Sequence, residues 1–280
     1  MNEIISERLK EYSIKTALDE QNAIKEVAQE VILYALSKAK FFDHAHFLGG
    51  TALRVVHGLN RFSEDLDFST NKPLVDFNFD DYLDDVLSTL EDYGLDMVIK
   101  KSKDDAFVKA RELKEDSQKW KVSFPNHQAL KKVLIKLEID SRPPSGAQVS
   151  SVRLDFPILH QIGVASLETL FAGKIHALLC RGHVKGRDWY DLLWYIKKDV
   201  SINYEFLKNA LEQMGPFQGQ TLKTVDRDFV VNQLIQKIES LDWKQAVSDV
   251  ERFLKSEELS TLKLWGKELF TEKVKLIGAK

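Results

Sequence analysis

Residues 49–67 combine a backbone suited to phosphate with side chains suited to metal. Gly49 and Gly50 lack the Cβ atoms that would hold backbone amides away from a phosphate, and a helix opening just after them points its free N–H groups at the same anion. Thr51 stands where it can cap that helix or touch the phosphate. In Phe62-Ser63-Glu64-Asp65-Leu66-Asp67-Phe68 the side chains alternate with period two, so Asp65 and Asp67 share one face of a strand while Leu66 and Phe68 share the other. The two aspartate Cα atoms then lie about 6.6 Å apart. Carboxylates at that spacing can converge on one or two Mg²⁺ ions, which commonly take one or two protein carboxylates together with phosphate oxygens and water. A phosphate cradle followed by a carboxylate pair points to phosphoryl or nucleotidyl transfer. The same alternation brings Arg61 and Ser63 to the aspartate face. Ser63 suits a triphosphate oxygen, and Arg61 either adds charge there or pairs with a structural carboxylate. Glu64, on the opposite face, reads as a surface or ion-pairing residue.

A second acidic strand follows later. From Leu134 the sequence Leu134-Ile135-Lys136-Leu137-Glu138-Ile139-Asp140 alternates cleanly, with Ile135, Leu137 and Ile139 on one face and Lys136, Glu138 and Asp140 on the other. Either Glu138 or Asp140 can bring a third carboxylate beside Asp65 and Asp67. Further on, Lys174, Arg181 and Asp188 are spaced by seven, and the interval from Gly182 to Gly186 makes a turn between two helices. Asp188 and Asp191 read as residues that orient Lys174, Arg181 or Arg187. Trp189, Tyr190, Trp194 and Tyr195 read mainly as helix core, and the histidines present no convincing ligand set. Cys180 reads as a small buried helix residue.

Stepping outward to the elements that must hold these groups, helical spacing without Pro or Gly predicts a long helix over 16–39, preceded by a shorter one over 6–15. A strand over 46–48, a helix over 51–58 and the carboxylate strand over 61–69 form a strand, turn, helix, strand unit. An amphipathic helix is expected over 79–93, with strands near 95–100, 107–112, 119–124 and 131–140, and a loop over 142–146. After Gly163 the pattern turns helical, over 166–181, 187–198, 204–214 and beyond. The expected architecture is α+β, with a mixed sheet and flanking helices over 1–160 and a helical domain over 161–280.

Composition narrows the class further. The chain has 280 residues, 44% hydrophobic and 30% charged, which is ordinary for a globular protein and excludes extensive disorder. The amino terminus lacks a signal-peptide layout, and no apolar run approaches the roughly 20 residues needed to span a bilayer, so a cytoplasmic location without membrane contact is expected. A formal net charge of −3 gives no global attraction to nucleic acid, leaving any such binding to a local patch.

Taken together, Gly49-Gly50-Thr51-Ala52-Leu53 and Arg61-Phe62-Ser63-Glu64-Asp65-Leu66-Asp67 resemble the AbiEii/AbiGii toxin family of nucleotidyltransferases, within the polymerase-beta-like superfamily. Lys136-Leu137-Glu138-Ile139 resembles the family's later acidic strand. The stretch from Ala172-Gly173-Lys174 through Arg187-Asp188-Trp189-Tyr190-Asp191 resembles its helical segment. The resemblance runs from about residue 45 to about 200. It implies a polymerase-beta-like catalytic domain completed by the helical one, and a Mg²⁺-dependent transfer (with Mn²⁺ as a substitute) of a nucleoside monophosphate from an NTP, releasing pyrophosphate. It also implies a tRNA acceptor end and a cognate antitoxin, as in a bacterial toxin-antitoxin or abortive-infection pair. Glu138 is the third carboxylate that this pattern favours, and Lys174 is the lysine expected to meet the triphosphate, where an ammonium stabilises charge on the leaving group. Lys174, Arg181, Lys185 and Arg187 are the small basic cluster available to a nucleic-acid acceptor. A small-molecule acceptor such as an aminoglycoside, a protein side chain, or nucleotide binding without turnover stay open as alternatives. The presence of both aspartates disfavours the last.

Overall fold

A computed structural model describes residues 2–74, 76–101, 104–105, 107–115, 133–255 and 257–279. The chain divides into two compact units, one of residues 1–58, 62–143 and 150–164, the other of residues 59–61, 144–149 and 165–280.

The first unit is built on a seven-stranded mixed sheet. Its strands are β1 (Ala45–Leu48), β2 (Leu66–Thr70), β3 (Met97–Lys101), β4 (Val108–Glu115), β5 (Leu134–Asp140), β6 (Val149–Leu154) and β7 (His160–Ala165), in the order β3-β4-β5-β2-β1-β7-β6. β1 and β2 run antiparallel and β2 and β5 run parallel, so the two acidic strands are neighbours. Helix α1 (Glu3–Lys10) precedes the 22-residue α2 (Ala17–Lys38), which starts at a capping box where Thr16 and Asp19 exchange side-chain to backbone hydrogen bonds. Helix α3 (Gly49–His57) follows β1 directly and stops at Gly58, in the left-handed conformation that only glycine adopts freely. The expected helix over 79–93 is a 3₁₀ turn, Phe79–Tyr82, running into α4 (Leu83–Asp92). One sheet face is packed with Phe47, Phe68, Ile135, Leu137 and Ile139, and Phe41 lies edge-on to Phe68 with ring centroids 4.9 Å apart. Asp67 of β2 and Lys136, Glu138 and Asp140 of β5 are left half-buried on the other face.

Two expectations differ from this arrangement. The carboxylate strand begins at Leu66 rather than at residue 61, so Arg61, Ser63 and Asp65 lie in the approach to it. β6 and β7 were not foreseen, although β7 pairs in parallel with β1 at Phe47 and Val164. β6 is an edge strand exposed over its first three residues, and without a buried face it carries no apolar alternation to read. The expected strand over 119–124 lies outside the described residues.

The second unit is helical: α5 (Leu167–Cys180), α6 (Gly186–Lys197), α7 (Tyr204–Gln213), α8 (Arg227–Glu239), α9 (Trp243–Glu251) and α10 (Lys267–Val274). Of the clustered aromatic residues, Trp189 and Tyr195 are buried in the interior, while Tyr190 and Trp194 are half-buried. Trp189 packs against Trp243 and Phe270 at 5.4 Å, and Tyr195 stacks on Phe171 at 4.3 Å. Tyr190 instead sends its hydroxyl to Glu258. Cys180 is half-buried rather than buried, because it ends α5 with its thiol directed to the Met214 carbonyl. Among the described residues no helix is long and apolar enough to cross a membrane.

Candidate active site

In the first unit Asp67 and Glu138 are neighbours on the half-buried sheet face, and Asp65 lies in the approach to β2. The β2–β5 register sets Asp67 beside Glu138 and Ser69 beside Asp140, while Leu48 at the end of β1 lies opposite Asp67. Asp140 therefore stands one alternate position farther from Asp67, about 6.6 Å along the strand. Its carboxylate accepts the Arg142 N–H at 2.8 Å, and burial pushes its pKa up. Glu138 is ion-paired with Lys136 at 2.8 Å. Burial pulls the Lys136 pKa down, but the carboxylates of Glu138, Asp65 and Asp67 outweigh that and leave it raised. Lys136 is the site residue that sequence reasoning placed on the right face and gave no role. Its signal was the alternation it shares with Glu138.

The turn before β2 is held from both sides. Gln29 of α2 donates to the carbonyls of Ser63 and Glu64, at 3.2 and 2.9 Å, and Lys25 lies 3.7 Å from the Glu64 carboxylate. From α3, the Thr51 hydroxyl donates to the Asp65 carbonyl. Thr51 sits inside the helix, fully buried, and its one hydroxyl hydrogen goes to fixing Asp65. The first turn of α3 receives no side-chain hydrogen bond from its N-cap residue, Leu48. Its leading N–H groups lack partners within the helix, which is the condition for attracting an anion.

Gly49 links the cradle to the acids. Its φ is +81°, and a Cβ built there would come within 2.9 Å of the Asp67 Cβ and Cγ and closer still to Oδ2. The backbone at Gly49 thus lies directly against the Asp67 carboxylate, an approach that only glycine allows.

In the second unit, Lys174 of α5 reaches Asp188 at 2.7 Å and Asp191 at 2.8 Å, both on α6. Arg61 forks onto Asp191 with two contacts of 2.6 Å, and Arg181 lies 3.2 Å from Asp188. Arg61 and Asp191 are 3% and 0% exposed at their side chains, so the pair is withdrawn from solvent. Of the two readings of Arg61, the structural carboxylate partner is the one observed. Three cations share two carboxylates here. Burial raises the Asp188 pKa, but Lys174 and Arg181 prevail and hold it at about 2. Burial works against the Lys174 ammonium, and Asp188 and Asp191 keep its pKa raised. Arg187 lies outside this cluster, 3.7 Å from Asp249 and 4.1 Å over the Phe253 ring.

The family model described as "Nucleotidyl transferase AbiEii toxin, Type IV TA system" matches residues 31–265. The chain belongs to the AbiEii nucleotidyltransferase toxin family. Members of AbiEii are nucleotidyltransferases of type IV toxin-antitoxin systems, so this chain is a nucleotidyltransferase toxin, with an NTP substrate and a cognate antitoxin implied. The fold agrees with solved structures. MenT4, a nucleotidyltransferase toxin from Mycobacterium tuberculosis H37Rv, superposes with a TM-score of 0.52 at 15% identity, covering 96% of this chain and 98% of that one. JHP933 from Helicobacter pylori gives 0.51 at 21% identity, covering 91% and 94%. No curated protein matches the sequence. The AbiEii match spans both the carboxylate face and the Lys174 cluster.

Proposed function

We propose that this AbiEii-family toxin transfers a nucleoside monophosphate from an NTP to a terminal hydroxyl of a tRNA acceptor end, in the cytoplasm, with Mg²⁺ or Mn²⁺ bound by Asp65, Asp67 and Glu138. The observation that carries the reading is Gly49, whose backbone abuts Asp67 at the start of α3. Backbone amides suited to phosphate and a carboxylate suited to metal lie side by side there, which supports the reading. Among the described residues no three His, Cys, Asp or Glu side chains are gathered as a ready metal cage. The donor set still fits a hard divalent ion. Carboxylates sharing one sheet face next to an anion-attracting helix end suit an ion that takes few protein ligands and completes its shell with phosphate oxygens and water. Such an ion, when bound, lowers the energy of an attacking hydroxyl oxygen and neutralises charge on the triphosphate.

The chain's own residues supply the rest. The N–H groups of Gly49 and Gly50 receive phosphate oxygens, and Ser63 adds a hydroxyl donor. Thr51 and Gln29 hold the Asp65 turn in place. Lys174 is assigned the triphosphate, with Asp188 and Asp191 orienting it and Arg61 and Arg181 balancing their charge. The acceptor identity is supported by the family resemblance and by the basic residues Lys174, Arg181, Lys185 and Arg187 alone.

The test is transfer of label from α-labelled NTPs to tRNA by the purified protein with Mg²⁺. Asp65→Asn and Asp67→Asn are each expected to lower the rate by about 100-fold or more, with unchanged melting temperature, since each removes a charge that works mainly in the transition state. Full transfer by both variants overturns the metal assignment. Label appearing on an aminoglycoside or a protein, and never on RNA, overturns the acceptor.

A further inference from the structure

On β5 the acidic face is not purely acidic. Lys136 lies two positions before Glu138 on the same face, and its ammonium is 2.8 Å from Oε1 of that residue. The parallel register pairs Leu66 with Leu137 and Asp67 with Glu138, and the Asp65 and Asp67 carboxylates both act on the Lys136 charge. Across β4 the register places Glu112 opposite Lys136, and Glu112 is itself 3.4 Å from Lys100. The Lys136 side chain is 37% exposed, so its charge is only partly screened. Carboxylates gathered on one face repel one another, and a single ammonium among them relieves that repulsion.

We infer that Lys136 is the built-in counter-ion of the Asp65, Asp67 and Glu138 carboxylates, holding them together without metal and competing with the divalent ion for the same negative field. This rests on the metal reading of the preceding subsection and adds to it a residue that sets metal affinity. When a divalent ion arrives, two positive charges face an ammonium already paired with one of the intended ligands. The ion must pull Glu138 from Lys136 or do without it. Lys136 is in this sense a positioning residue, acting on the ion through the carboxylates.

The experiment reads Mn²⁺ binding to the full chain without nucleotide, by electron paramagnetic resonance and calorimetry. Lys136→Met is expected to tighten Mn²⁺ binding about tenfold, because a nearby like charge is removed in partly screened surroundings. Lys136→Arg, which keeps the charge, is expected to stay within about twofold of wild type on the same electrostatic argument. In EDTA the Lys136→Met protein should melt below wild type, and Mn²⁺ should raise its melting temperature by more than it raises that of wild type. Should the methionine variant fail to fold, Lys136→Gln takes its place. Unchanged or weaker Mn²⁺ affinity in the neutral variant overturns the inference, and so does equal tightening by methionine and arginine. Asp67→Asn separates the two levels. If it abolishes Mn²⁺ binding while the neutral variant matches wild type, only the role of Lys136 fails. If it binds Mn²⁺ as wild type does, the carboxylate site and the Lys136 role fail together.

Discussion

Gly49 concentrates the chemistry of the first unit into one backbone position. Its left-handed φ and its contact with Asp67 have one cause: the chain turns from β1 into α3 over the carboxylate, where any Cβ collides with it. Gly49→Ala therefore strains the backbone and displaces Asp67 at once. We expect it to cost about 1–3 kcal/mol of stability, the usual range for a non-glycine residue forced into a disfavoured backbone region. Urea denaturation reads that cost. Transfer activity should fall by more than the stability loss explains, because the displaced group is Asp67. An alanine variant with wild-type stability and activity would remove the close approach from the mechanism. At this scale the sequence was informative about residue type and less so about role. Gly49 and the aspartates were legible because glycine and paired carboxylates have few other uses at such spacing. Thr51 and Arg61 each kept two readings because hydroxyl and guanidinium groups bind phosphate and carbonyl or carboxylate equally well, and only the fold shows which partner is near.

Helices α5 and α6 are joined by charge as much as by packing. Asp191 on α6 receives Arg61 and Lys174, and Asp188 receives Lys174 and Arg181, so one helix face carries the acids and the others bring the cations. Breaking a buried pair strands the remaining charge, at about 3–5 kcal/mol. Asp191→Asn is expected to cost in that range, measured by chemical denaturation. Arg61→Met added to it should cost much less than Arg61→Met alone, since the two side chains share one interaction. Strictly additive losses would show that Arg61 and Asp191 do not depend on each other. The seven-residue spacing of Lys174, Arg181 and Asp188 announced the cluster in the sequence, and the glycines at 182 and 186 announced the turn within it. The contribution of Arg61 was invisible there, because it comes from more than a hundred residues earlier in the chain. β7 was missed for a related reason: its pairing with β1 joins residues 47 and 164, and no local pattern records a partner so distant.

Over the whole molecule, charge argues against strong attraction to RNA. The net charge is −3, and within the basic cluster Lys174 and Arg181 already face Asp188 while Arg187 faces Asp249. The proposed recognition of a tRNA end should then use few phosphates. About two phosphate contacts would weaken binding only about tenfold between 50 and 200 mM salt, where six to ten contacts would weaken it by a thousandfold or more. Titration of tRNA binding across that range decides the matter, and a steep slope would reveal a larger basic surface. The sequence by itself determined the chemistry on offer: a glycine turn, two alternating carboxylates, a second acidic strand and a lysine-bearing helix pair, all encoded in local spacing. It also determined most helices, whose periodicity is local. Tertiary structure decided which of these groups share a face. Strand pairing set Glu138, and not Asp140, beside Asp67, put Lys136 among the acids, turned Thr51 toward Asp65 and sent Arg61 to Asp191. Each of those outcomes depends on register and on contacts between distant segments, which side-chain alternation along one strand does not specify.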